Sequence, residues 1–210
     1  MKNIEQRFKF YRDKGSRFLN VLDIGAHEGK WTLLFKKIFP ESKILMIEAN
    51  ETKEPILKLI GDYKIALLGS EDNKEVDYFI SDNDISTGNS IYKENSNFAF
   101  SPQRRKTKTL DTLLQSKGFY DLIKMDVQGS ELDIIKGGMS VINNTKFLLL
   151  ELQIIEFNKG APKFYEVMSF LNKINFEIID MLDLLYSNNG VLIQIDALFK
   201  NNNILKQGYK

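Results

Sequence analysis

The stretch that most constrains how this chain folds lies at residues 21–29, Val-Leu-Asp-Ile-Gly-Ala-His-Glu-Gly. An apolar run (Phe18, Leu19, Val21, Leu22, Ile24) breaks at Gly25, and apolar residues at helical spacing (Trp31, Leu34, Phe35, Ile38) begin just past Gly29. The pattern reads as strand, tight turn and helix. A turn of this kind is a ligand site.

The glycine spacing narrows the ligand. A dinucleotide fingerprint requires Gly-x-Gly-x-x-Gly, so that backbone amides and a helix N-terminus close on a pyrophosphate. Counted from Gly25, the later glycine positions hold His27 and Lys30. What remains, acid-x-Gly-x-x-x-Gly with Asp23 ending the strand, suits a cationic ligand carrying an amino acid tail. S-adenosylmethionine is such a ligand: Asp23 is read as accepting from its ammonium group through water or backbone, and Gly25 as letting the chain pass close to its sulfonium and carboxylate. The plainer alternative is a glycine-containing turn with a solubilising Asp.

A second apolar strand, residues 44–47, ends in Glu48, about 25 residues after Asp23, the separation expected when one helix joins neighbouring parallel strands. A carboxylate there can accept hydrogen bonds from both ribose hydroxyls, or face the N-terminus of the next helix. Residues 63–68 read as a third strand ending in Ala66-Leu67-Leu68-Gly69, whose loop would sit where an adenine is held. Residues 120–131, Tyr-Asp-Leu-Ile-Lys-Met-Asp-Val-Gln-Gly-Ser-Glu, repeat the layout of strand, terminal acid, glycine and helix. In a doubly wound sheet that strand lies beside the first one across the topological switch point, which places Asp126 where ligands bind.

Residues 146–153 form a further strand, in which Glu151 interrupts an apolar run and needs a partner. Asp126, Glu131 and Glu151 are expected to converge, favouring a general base or a hard cation such as Mg²⁺. No Asp/His set has clear ligand spacing, so a divalent cation is possible but not indicated. Ser130 and Asp133 resemble a capping pair, which gives Glu131 an alternative place in the first turn of a helix running to about residue 142.

Elsewhere the chain reads as ordinary scaffold. Residues 2–17 place Ile4, Phe8 and Tyr11 on one face of a helix that lies against the domain or over the cofactor pocket. Helices are expected from residue 30 to before Pro40, over 51–60 ending at Gly61, over 110–117 after Thr109 as N-cap, and over 163–174. Residues 76–80 are an edge strand or part of a hairpin, and 176–181 with 191–199 an antiparallel hairpin that closes the sheet. The segment 81–101, rich in Ser, Asn, Asp and Gly, is either a functional loop or a surface excursion. Its Thr87-Gly88-Asn89-Ser90 would suit a hydroxyl-rich acceptor. The basic cluster at 103–108 is a solvated strand or loop, or a contact for phosphate or sulfate. His27 touches the ligand through its backbone or serves as base to the acceptor hydroxyl.

Twenty-nine basic against 28 acidic side chains leave a formal charge of +1, so no global field favours nucleic acid or an anionic membrane. The absence of cysteine excludes disulfides, thiolate metal sites and cysteine nucleophiles. The 210 residues suit one domain: an N-terminal helix at 1–18, a catalytic core at 19–200 and a loose tail at 201–210. With a charged start and no membrane-spanning run, a cytoplasmic protein is expected.

With these residues in view, the chain resembles the FkbM family of S-adenosylmethionine-dependent methyltransferases. The resemblance is carried by Asp-Ile-Gly-Ala-His-Glu-Gly at 23–29, Ile-Glu-Ala-Asn at 47–50, Thr-Gly-Asn-Ser at 87–90, Thr-Leu-Asp at 109–111 and the distinctive segment at 121–131, and spans about residues 19–155. His27 and Met125 stand where the family commonly has Asn and an aliphatic residue. The family implies a Rossmann-like class I α/β fold with a seven-stranded, mostly parallel sheet ending in an antiparallel hairpin. It also implies O-methylation of a small-molecule or sugar hydroxyl; from the charge balance no nucleic acid or membrane partner is expected.

The expected donor-binding residues are Asp23, Gly25, Ala26, His27, Gly29, Thr32, Glu48, Ala49, Asn50, Ala66, Asp126 and Val127. Asp126, Glu151 and His27 are the expected catalytic groups, and Asn89, Ser90, Gln128 and Glu131 the expected acceptor contacts. A nucleotide-binding module or NAD(H) oxidoreductase is the alternative, against which the missing glycines argue. RNA methylation through Arg104 and Arg105 is weaker still, because no stacking aromatics flank them.

Overall fold

The computed structural model describes residues 2–81, 88–115 and 118–205. In chain order the elements are α1 (Lys2–Asp13), β1 (Asn20–Ile24), α2 (Lys30–Ile38), β2 (Lys43–Glu48), α3 (Glu54–Ile60), β3 (Tyr63–Ile65), β4 (Glu75–Ser81), β5 (Phe100–Lys106) and α4 (Leu110–Leu114). They continue with β6 (Tyr120–Met125), α5 (Glu131–Gly137), α6 (Met139–Asn143), β7 (Thr145–Gln153), α7 (Phe164–Lys173), β8 (Phe176–Tyr186) and β9 (Leu192–Asn201).

The near-continuous apolar strands follow from burial on both faces. They assemble into a seven-stranded sheet of order β3-β2-β1-β6-β7-β9-β8. Strands β1, β2, β3, β6 and β7 are parallel, β9 runs antiparallel to β7, and β8 antiparallel to β9. Winding reverses between β1 and β6, so the connections leaving their carboxyl ends diverge and open a crevice there. This is the class I architecture expected from the sequence.

Alternating side chains feed two cores. Ile24, Ile123, Met125 and Leu150 point to one face with Leu110, Ile135 and Leu171 of the helices there. Val21, Leu122, Leu149 and Leu198 point to the other, under α1 and α2. Phe8 of α1 is 1% exposed and meets Phe35 edge to face at 4.9 Å, with Phe18, Trp31 and Phe39 around it. Arg7 Nη2 and the Tyr11 hydroxyl both donate to Asp180 Oδ2, at 2.6 and 2.7 Å. The amphipathic helix read from the sequence therefore lies against the domain.

Several boundaries differ from expectation. Strand β3 stops at Ile65 because Leu68 pairs instead with Lys108. Residues 51–60 split into a 3₁₀ turn, Glu51–Lys53, and α3. Helix α4 ends at Leu114, where Gln115 takes a left-handed φ of 51°; residues 116–117 lie outside the described chain. The helix expected over 131–142 breaks at Gly138, and the Asp111 carboxylate accepts from the backbone amides of Ser140 (3.0 Å) and Val141 (3.1 Å) at the start of α6. The Ser130–Asp133 capping pair does not form: Ser130 makes no cap bond, and Asp133 accepts from the Tyr92 hydroxyl at 2.7 Å.

Strand β4 pairs with β5 in a separate antiparallel ribbon, so residues 76–80 are one arm of a hairpin and residues 103–106 belong to its solvated strand. In the 81–101 segment, residues 82–87, including Thr87, lie outside the described chain. The described remainder is pinned: Ser90 exchanges backbone bonds with Phe79, and Asn158 Nδ2 donates to Tyr92 O at 2.9 Å. Nor is the tail loose where it is described. Asn201 is fully buried within β9 and its amide donates to Thr145 O at 3.0 Å, while Asn202 N donates to Asn175 O. Among the described residues no helix is long and apolar enough to cross a membrane.

Replacing Phe8 by Ala opens a void in the second core and is expected to lower stability by about 3–5 kcal/mol, measured by urea denaturation. A loss under about 1 kcal/mol would show α1 to be an appendage rather than part of the core.

Candidate active site at the carboxyl ends of the parallel strands

Two cavities meet in the crevice. The first encloses about 860 Å³, its open mouth included. Gly25, Glu48, Ala49 and Ala66 line it from the strand ends, with apolar surface from Leu67, Leu68, Ile91 and Ile134. Gly25 has φ +75°, and a Cβ there would lie 1.9 Å from the Asp126 carbonyl oxygen, so only glycine allows the two turns to approach this closely.

Glu48 Oε2 accepts from His27 N at 2.7 Å, and Oε1 from Asn50 N at 2.8 Å. Each oxygen keeps further acceptor capacity on a carboxylate that lines the cavity. Burial raises the Glu48 pKa, against the pull of these backbone amides and of Lys124.

The second cavity encloses about 1260 Å³ with its mouth and shares Gly25, His27, Asp126 and Glu151 with the first. Trp31, Leu149, Ile195 and Ile4 supply apolar wall, and Glu28, Lys30, Lys124, Asp183, Gln194 and Asp196 supply charge and hydrogen bonding. At the junction, Gln128 Nε2 donates to Asp126 Oδ1 at 3.0 Å and to Glu151 Oε2 at 2.6 Å. Gln194 reaches the same Glu151 oxygen at 3.4 Å. Glu151 thus has the partner its apolar strand demanded.

The two junction carboxyls are driven apart in acidity. Burial pushes Asp126 upward, but the Lys124 charge and the hydrogen bonds around it hold its pKa below the usual value. Burial, then the negative charge of Asp126, raises Glu151 well above its own. Across the β7–β9 pairing, Asp196 stands opposite Glu151 and is pushed up to about 7 by burial and by Asp126.

Lys124 is the residue that sequence reasoning missed. It is 6% exposed, and its Nζ lies 3.2 Å from Asp23 Oδ1, 3.2 Å from Gly25 O and 3.5 Å from Asp126 Oδ2. The ammonium also sits 5.9 Å from the centre of the Trp31 ring. Burial acts to lower its pKa, but Asp23 and Asp126 raise it by more, so it stays charged. The available signal was a lysine inside Leu-Ile-Lys-Met, an apolar strand that tolerates no unpaired charge.

Of the expected residues, Gly25, Ala26, His27, Glu48, Ala49, Ala66, Asp126, Val127, Asn89, Ser90, Gln128 and Glu151 line one or both cavities. Asp23 and Thr32 do not. Both are fully buried, the Thr32 hydroxyl donates to Asp23 Oδ2 at 2.7 Å, and Lys124 holds the other oxygen. Gly29 also lies off the cavities: a Cβ there would meet Ile60 Cδ1 at 2.5 Å, so its small size serves the packing of α3. Asn50 uses its side chain to cap the following turn, accepting from Thr52 N at 3.1 Å.

Glu131, 2% exposed, accepts from the amides of Val127 (3.1 Å) and Gly129 (3.4 Å) and holds the β6–α5 turn. Burial raises its pKa to about 7. The expected convergence of three carboxyls at the cavity is therefore one of two. Ser90 Oγ is committed to Gln128 O at 2.8 Å, and Asn89 Oδ1 to Ser81 N at 2.9 Å. His27 has φ 47°, and burial followed by the Lys53 charge lowers its pKa.

In the basic cluster, Arg105 donates to Ala49 O and lies over the Tyr78 ring, while Arg104 pairs with Asp77 at 3.3 Å in solvent. Among the described residues no group of three His, Asp or Glu side chains is placed to hold a metal ion.

The Methyltransferase FkbM domain family matches residues 23–178, more than half of the chain. The 2-O-methyltransferase NoeI of Sinorhizobium fredii (strain NBRC 101917 / NGR234) is 24% identical over 181 residues, 76% of this chain and 72% of that protein. Among solved structures, the methyltransferase FkbM from Methylobacillus flagellatus KT superposes with TM-score 0.55 at 13% identity, over 92% of this chain and 47% of that one. This chain thus spans about half its length. The N-terminal domain of EvdMO1, solved in the presence of SAH and D-fucose, gives TM-score 0.52 at 12% identity, over 96% of this chain and 84% of that one. Both structural likenesses speak for the fold. From the match across β1 to β8, the chain belongs to the FkbM family of S-adenosylmethionine-dependent methyltransferases.

Proposed function

We propose that the protein is an O-methyltransferase that delivers the methyl group of S-adenosylmethionine to a hydroxyl of a small molecule or sugar, with the donor in the first cavity and the acceptor entering through the second. The observation that carries this reading is the placement of Asp126 where the two cavities join. NoeI by its name methylates a 2-hydroxyl oxygen, and the EvdMO1 domain was crystallised with a sugar, which supports the same class of acceptor.

The residues present fit the donor. Glu48, anchored by two backbone amides, offers its free acceptor sites to the ribose hydroxyls. Ala49, Ala66, Leu67, Leu68 and Val127 give the apolar enclosure an adenine needs, and Asn89 and Ser90 line that same space rather than the second cavity. Gly25, Ala26 and His27 present bare backbone to the amino acid tail. Once bound, the donor supplies an electrophilic methyl on a sulfonium. Asp126, held ionised, takes the proton from the acceptor hydroxyl as general base. Gln128 fixes the carboxylate by its amide, and Glu151, whose pKa burial and the Asp126 charge raise, favours holding the neighbouring proton. Gln194 and Asp196 extend this polar surface toward the acceptor.

Calorimetry with S-adenosylhomocysteine is expected to show binding, and Glu48→Gln to weaken it at least tenfold, about 1.4 kcal/mol. The substituted amide nitrogen would confront His27 N or Asn50 N, both donors. Binding of NAD⁺ with no heat from S-adenosylhomocysteine would instead favour a nucleotide module. Asp126→Asn is expected to lower kcat by about 10²–10⁴ while leaving product affinity within a few-fold, in an assay of labelled methyl transfer to D-fucose and related polyols. Full turnover in that variant would remove Asp126 from the mechanism.

A further inference from the structure

We infer that Lys124 is a positioning residue for methyl transfer: from beneath the junction of the two cavities it fixes the negative charge on Asp126 rather than on Glu151 and ties that carboxylate to the glycine turn of β1. The inference rests on the reading of Asp126 as proton acceptor.

The groups facing Asp126 come from every neighbouring element. Lys124 and Gln128 flank it on its own segment, His27 lies in the β1–α2 turn, Glu151 on β7, Glu131 on α5 and Asp196 on β9. Asp23 on β1 joins through Lys124, its partner in the β1–β6 pairing. Among the described residues, Lys124 is the cation in ion-pair contact with Asp126. Carboxyls so crowded cannot all ionise, and the ammonium decides which of them do. Its contacts are to Asp23 and Asp126, both within 3.5 Å, and Glu151 lies beyond that range. Gln128, with two amide hydrogens, gives one to each junction carboxyl and keeps them side by side.

The same ammonium donates to Gly25 O, so the turn that cradles the donor and the carboxylate that serves the acceptor are held by one group. The Trp31 ring near it limits where the ammonium can move. An ordinary structural lysine would explain the pairing with Asp23 but not the contact to a carboxylate that lines both cavities.

The test reads Asp126 directly. In the full chain labelled with ¹³C at aspartate carboxyls, with the Asp126 signal assigned by its loss in Asp126→Asn, Lys124→Met is expected to raise the midpoint of the Asp126 titration by at least one pH unit. The acid limb of kcat/KM should rise with it, and Lys124→Arg should restore most of both. Lys124→Met strands the buried Asp23, so the double variant Asp23→Asn/Lys124→Met is measured beside it to keep a folded protein. An unchanged Asp126 midpoint in the folded double variant overturns the inference. A moved midpoint in variants whose kcat/KM profile stays put, together with full turnover in Asp126→Asn, would leave the charge assignment standing and defeat the general-base reading instead.

Discussion

One buried ammonium organises the centre of this molecule. Desolvating Lys124 costs several kcal/mol, which only close opposite charges and good hydrogen bonds offset. Asp23 and Asp126 provide the charges from two adjacent strands, and the Gly25 carbonyl in the turn between cavities accepts a hydrogen bond. The consequence is geometric as much as energetic. The ends of β1 and β6 are locked at one spacing, and the lower edge of the crevice becomes a fixed electrostatic surface instead of a flexible loop pair.

The rest of the site follows from strand order. The winding reverses between β1 and β6; one cavity is lined from β1, β2, the residues after β3 and the β6–α5 turn, and the other from the β1–α2 turn, α2, β6, β7, β8 and β9. The near collision of a Gly25 Cβ with the Asp126 carbonyl shows how closely the two turns pack at the divide. Donor and acceptor can then approach from opposite sides of a pair of carboxyls whose acidities are split by their surroundings. Such a split is how one site keeps a proton acceptor and a proton holder side by side at a single pH. Helix α1 closes the second core beneath the second cavity and contributes Ile4 to its wall, which links the N-terminal segment to the site physically.

The sheet was largely legible in the sequence because its strands are apolar runs, and after β1 and β6 a glycine turn and a helical stripe follow. Glu48, Asp126 and Glu151 were legible for the same reason: each is an acid at or near the end of an apolar strand. The errors were errors of direction. Asp23 and Asp126 look alike in sequence, yet the first points under the crevice to Thr32 and Lys124 and the second into it. Glu131 and Asn50 turned to backbone amides close in sequence, a competition that composition does not reveal. Lys124 was flagged by its apolar strand, but its partner was unreadable without strand order, since Asp23 is 101 residues away in the chain and becomes its neighbour only when β1 pairs with β6. Strand β5, with Pro102 and two arginines, lacked the alternation of a half-buried strand because it sits in a solvated ribbon.

In the proposed function the crevice divides into a donor half and an acceptor half around Asp126. A crystal structure of the protein with S-adenosylhomocysteine tests this most directly. It should show both ribose hydroxyls within hydrogen-bond distance of Glu48 and the thioether sulfur directed at the Asp126–Glu151 junction, with the second cavity open. A product molecule seated in the second cavity, or one whose ribose ignores Glu48, would contradict it.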